Sequence, residues 1–205
     1  MADRFNANSN IGISFSYKTG ANWILGLGGE FIFGPQPKET SMLDHLKTSA
    51  GYIIGTNGEY ADIRLYERGF SIDLTIGKIF PLFGPNKNSG ILFRAGPGFL
   101  QHRIRIEDPN NVVPQLDGDY KKGYDRLTNG PEISTFLGYV YLGNRKLINF
   151  WIGGQLNVGF TMNRRSYNFD TRSNDPTHRT DILLGIKGGW ILPLYKKMPD
   201  PFYYH

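Results

Sequence analysis

The stretch Asn22-Trp23-Ile24-Leu25-Gly26-Leu27-Gly28-Gly29-Glu30-Phe31-Ile32-Phe33-Gly34 decides how the chain is read. Its side chains sort with period two, the period of a β-strand. One face carries Trp23, Leu25, Leu27, Gly29, Phe31 and Phe33. The other carries Asn22, Ile24, Gly26, Gly28, Glu30, Ile32 and Gly34. Large apolar groups stand on one side, and mostly small or polar groups on the other. That division suits a lipid-facing exterior around a cramped interior. Taken alone, it also leaves a soluble sandwich open.

The pattern recurs along the chain. Ile11, Ile13, Phe15 and Tyr17 alternate with Gly12, Ser14, Ser16 and Lys18. Phe70, Ile72, Leu74 and Ile76 alternate with Ser71, Asp73, Thr75 and Gly77. The same holds around Ile91–Gly96, Glu132–Tyr141, Phe150–Met162 and Asp181–Leu192, which makes seven strands. Helical period fits none of them.

The connections alternate in length. Residues 18–21, 81–89 and 143–146 are short, whereas 35–66, 107–129 and 164–179 are long. Short turns at one end and long loops at the other are the habit of outer-membrane barrels. The expected fold is therefore all-β: an antiparallel up-and-down transmembrane β-barrel spanning residues 1–205 as one domain, with a tail at 193–205. Ser41 and the shared face of Met42, Leu43 and Leu46 predict a short helical piece within the first long loop.

Composition agrees. Mean hydropathy is −0.36, and no apolar run approaches the roughly 18 residues of a membrane helix. A barrel passes beneath that test because only alternate residues face lipid. Glycine supplies 26 of 205 residues, above the usual ~7%, beside 12 Tyr and 14 Phe. Without cysteine there is no disulfide framework, thiol catalysis or cysteine-based zinc site. The net charge of +5 is scattered through loops and turns, with no basic helix or RNA-binding signature, so nucleic acid is not an expected partner.

Several stretches carry a resemblance. They are Ser16-Tyr17-Lys18-Thr19 with Trp23, Arg64-Leu65-Tyr66-Glu67-Arg68-Gly69-Phe70 and Gly98-Phe99-Leu100-Gln101-His102. Gly189-Trp190-Ile191-Leu192-Pro193-Leu194-Tyr195 and Phe202-Tyr203-Tyr204 complete the set. Through most of its length the chain resembles the small outer-membrane barrel proteins of Bacteroidota. The resemblance implies the cell outer membrane, with its lipid as surroundings. Some relatives of this kind are linked to the type IX secretion apparatus or accompany barrel-assembly machinery, which implies envelope proteins as partners. The shared motifs are structural and carry no catalytic residue or cofactor across.

Interior positions hold the charged residues Lys18, Glu30, Asp73, Arg94, Glu132, Asp181 and Lys187. A barrel of about eight strands is just filled by side chains, so these should form a hydrogen-bonded ion network rather than an ion path. Phe136 and Trp151 should help occlude the lumen. Tyr139, Tyr141, Trp190 and Tyr195 fall near the short-turn side and fit an interfacial aromatic girdle. His45, His102, His178 and His205 lie in or near loops or at the terminus, and none has metal-ligand spacing. The expected function is that of a non-enzymatic structural or accessory barrel. Two alternatives stay open: a soluble lipocalin-like barrel, and an outer-membrane enzyme with a rim site. The only region from which such a site could be built is His178 beside Asp175 and Asp181, with Ser166 or Ser173.

Single-chain bacterial membrane barrels have an even strand count and periplasmic termini. Seven strands with a short first turn put the start of the chain outside the cell. One further strand and a signal peptide ahead of Met1 are the expected remedy, Met1 then being an internal methionine. Pro193, Pro199 and Pro201 speak against a strand at 193–205, since each lacks a ladder donor.

Overall fold

The computed structural model describes residues 5, 7–35, 37–38, 41–144 and 148–194. Seven strands follow one another: β1 (Ser9–Lys18), β2 (Trp23–Gly34), β3 (Arg64–Phe80), β4 (Gly90–Glu107), β5 (Thr128–Leu142), β6 (Asn149–Asn163) and β7 (His178–Trp190). They form one sheet in chain order, and every neighbouring pair is antiparallel. Three 3-10 segments, Ser41–Leu46, Pro114–Leu116 and Gly118–Gly123, lie in the first two long loops. The first is the piece that Ser41 and its apolar face predict, as a 3-10 turn rather than an α-helix.

The side-chain parity read from the sequence is the parity of the sheet. Leu25, Leu74, Leu156 and Leu184 are exposed on the convex face. Ser71, Asp73, Thr75, Glu132, Gln155, Asn157 and Asp181 are buried on the concave face. The interior is tight. A Cβ on Gly138 or Gly153 would lie 2.6 or 2.7 Å from Cζ of Phe136, so glycine is what makes room for that ring.

Two expectations need correction. The strands β3 and β4 run further toward the long loops than their apolar alternation, from Arg64 and to Glu107. Over this extension the pattern inverts: Leu65, Ile104 and Ile106 are buried inward, and Arg64, Arg103 and Arg105 are exposed outward. The inward groups pack with Phe5, Met42, Leu43, Val113, Leu116 and Tyr124 into an apolar cap under the long loops. A smaller apolar cluster of Ile79, Leu92, Phe136 and Val140 closes the short-turn end.

The second correction concerns closure. Among the described residues the sheet is open: β1 pairs only with β2, and β7 only with β6. Both edge strands run from the long-loop end to the short-turn end. Pairing them directly would be parallel, which breaks the antiparallel order that hairpin connections impose.

Candidate functional site

The concave face gathers the polar side chains into a stack between the two apolar clusters. Near the long-loop end, the His102 ring nitrogen Nε2 lies 2.8 Å from Asp181 Oδ2, and Thr161 Oγ1 donates to the same oxygen at 2.6 Å. Phe5 sets its ring edge-on to His102, with centroids 5.5 Å apart. Asn8 donates to Glu67 at 3.3 Å. One layer further in, Glu132 accepts from Ser71 and, at 3.2 Å, from Asn157 Nδ2. Gln155 donates to Asn157 Oδ1 at 2.7 Å and to Ser134 Oγ at 3.3 Å. Below this, Lys187 of β7 pairs with Glu30 of β2 across the interior. Arg94 lies over two rings, 4.9 Å from the Phe136 centroid and 5.2 Å from that of Trp151. Those rings meet edge to face at 5.1 Å.

Such an arrangement bonds most of its polar groups to one another; among the described residues His102 Nδ1 and Gln155 Oε1 are buried without a partner. Buried polar atoms are expensive unless bonded, and here the bonds run within each layer. The loop cap behaves likewise. Asp125 is held by Arg165 at 2.7 and 2.5 Å, and Arg126 pairs with Asp170. Tyr124 Oη lies 2.9 Å from His45 Nε2. Burial, followed by the nearby Asp170 carboxylate, pushes the Tyr124 phenol above its usual range.

Of the seven charged residues expected to form the interior network, Glu30 and Lys187 pair with each other. Glu132 and Asp181 bind uncharged neighbours and His102. Arg94 rests on rings. Asp73 is buried opposite Gly28. Lys18 is the exception: its ammonium turns to Asn88 Oδ1, 2.8 Å away, and to the Thr19 carbonyl at the short-turn end. It sits at the last position of β1, where a long flexible stem reaches the mouth.

His102 is a further correction. It does not lie near a loop; it is buried within β4 on the same side as Arg94. The signal was parity: continuing the β4 alternation past Gly96 puts Gly98, Leu100 and His102 inward. Glu67 was missed for the same reason.

The rim constellation does not assemble. His178 and Asp181 stand on opposite faces of β7; Asp181 turns inward to His102, and Asp175 pairs with Arg179. Ser173 donates to Thr171 at 3.1 Å. Among the described residues no group of three His, Cys, Asp or Glu side chains could hold a metal ion. The aromatic positions follow the expected parity. Tyr139 donates to the Phe83 carbonyl at 2.8 Å, Tyr141 stacks on Phe150, and Trp190 is exposed. Tyr195 lies outside the described residues, as does the 193–205 tail beyond Leu194. Comparison of the chain with family models, with curated proteins and with solved structures found no match.

Proposed function

We propose that this protein is a small, non-enzymatic outer-membrane β-barrel, a structural or accessory component whose loops or periplasmic edge bind other envelope proteins. One observation carries the reading. The convex face of all seven strands exposes large apolar side chains, among them Ile13, Leu27, Leu74, Phe93, Leu137, Ile152 and Ile186. Asp73, Glu132, Gln155, Asn157 and Asp181 lie buried within. Water would favour the reverse arrangement, and hydrocarbon favours this one. A lipocalin-like soluble barrel would bury its apolar face, so that alternative loses its support. The bonded interior and its two apolar plugs favour an anchor over a pore.

In hydrocarbon, an unpaired strand edge leaves backbone groups without partners, each at several kcal/mol. The membrane reading therefore includes one more strand between β7 and β1, antiparallel to both, giving eight. The test is extraction and folding. Purified protein should require detergent or bilayers to stay dispersed, and should show heat-dependent gel mobility once folded into vesicles. A folded, monodisperse protein in plain buffer would overturn the proposal. Detergent pull-down from native membranes then identifies the envelope partner, and a steady porin-sized current in planar bilayers would contradict the anchor role.

A further inference from the structure

Where the apolar side of β3 and β4 switches from outward to inward, the convex face changes from apolar to basic. Arg68 and Arg103 are directly opposite each other in the β3–β4 register. One step beyond the His102–Thr128 pair, the next residues are Arg103 on β4 and Leu127 before β5. The Arg164 amide donates to the Leu127 carbonyl at 2.8 Å, which places Arg164 in the same row. Three arginines thus lie along one register row of the sheet, beyond the apolar alternation of β3 and β4. Phe70, paired with Gln101, and Phe99, paired with Ile72, lie diagonally across the next two outward rows, with ring centroids 6.2 Å apart.

The neighbouring charges are balanced, but these three are not. Arg64 is engaged by Asp62 at 2.5 Å, and Arg105 by Glu107 at 2.8 Å. Arg68 donates to its neighbour's carbonyl, that of Glu67, and lies over the Tyr66 ring. Arg164 donates to the Asn129 side chain at 2.5 Å. Among the described residues none of the three finds a carboxylate. Two like charges facing across paired strands destabilise the pair unless an anion lies between them. Arg103 and Arg105 also share the wall of a cleft of about 410 Å³ with Lys121, together with Glu107, Asp108 and Asp125. Asp108 is turned away to the Val113 amide, and Asp125 to Arg165. The opposite end of the convex face is different in kind: there the cation of Lys78 lies over the Trp23 ring.

We propose that the Arg68–Arg103–Arg164 row is a binding site for the phosphate groups of an outer-leaflet lipid, whose acyl chains lie along the apolar rows below. Guanidinium forks match phosphate oxygens two at a time, and the Phe70–Phe99 pair beneath suits the start of the hydrocarbon. The inference rests on the membrane reading, because the lipid must be presented at this height. It also assigns the long-loop end to the outer leaflet.

The experiment uses the folded protein in detergent with lipid A as probe, and in parallel with dephosphorylated lipid A; native mass spectrometry reads bound lipid. Wild type should retain the phosphorylated form selectively. Arg68→Gln/Arg103→Gln should lower retention about tenfold or more while heat-dependent mobility is unchanged. Lys78→Gln should leave it unaltered. If the double variant does not fold, Arg103→Gln alone is used, since its exposed side chain supports no packing. Equal retention of both lipids by wild type, or undiminished retention by the folded variant, would overturn the site. Complete displacement by inorganic phosphate would also overturn it, in favour of a small-anion site. Failure of the membrane reading has a separate signature: wild type folded without detergent.

Discussion

The middle of the sheet and its two edges carry the same alternation but meet different surroundings. In the middle, Leu74 of β3 is 52% exposed, shielded by outward neighbours on both adjacent strands. At the edges, Ile13 of β1 is 68% exposed and Ile186 of β7 is 85% exposed. The concave side differs more sharply: Ser71 of β3 is fully buried, whereas Ser14 and Ser16 of β1 are exposed. Local sequence is alike in the two regions, so the difference comes from the missing neighbour. The edges are built as interior strands and lack one flank. Glu30 and Lys187 reach across that gap from β2 to β7, which keeps the sheet curled toward closure.

The largest test of this contrast is all-or-none. The chain has no cysteine, so paired cysteines can be introduced freely. Ser14→Cys with Gly28→Cys, which are register partners, should cross-link in membranes. On the proposed eight-strand closure Ser14→Cys with Gly185→Cys should not, because the further strand would separate β1 and β7 by about two strand spacings, roughly 10 Å, beyond disulfide reach. A disulfide in the second pair would mean that β1 and β7 meet directly.

Next in size is the ion pair across the seam. Lys187→Met leaves Glu30 charged in the interior with its side chain only 16% exposed, and should destabilise folding by about 3–5 kcal/mol in urea titrations from vesicles. Adding Glu30→Gln should recover most of the loss. If Lys187→Met alone is neutral, the two edges are not drawn together in the membrane.

Arginine at the centre of the apolar band comes third. Leu74→Arg and Leu156→Arg should each cost about 2–4 kcal/mol by the same titration. Leu184→Arg, on the edge strand, sharpens the comparison: a closed seam makes its cost equal to the others, whereas an open one makes it clearly smaller.

The smallest effect belongs to Lys18→Gln. Its ammonium sits at the mouth with Asn88, so stability should change by no more than about 0.5 kcal/mol. A loss on the scale of Lys187→Met would return Lys18 to the interior network.

Strand number, the face each side chain takes and the order of short and long connections were legible in the sequence because each has a local cause. Period two is a property of a single strand, and a uniform environment on one face writes it into consecutive residues. The ends of β3 and β4 were less legible because the apolar side switches there, from outward Phe70 and Phe99 to inward Leu65 and Ile104. Only the tertiary structure decided which interior groups meet. His102 finds Asp181 and Glu30 finds Lys187 from far along the chain, through the stagger and curl of the whole sheet. Lys18 shares the parity of that set but lies at another height. Height within the interior, unlike facing, depends on the register of every strand pair between two residues, and no local pattern encodes that sum.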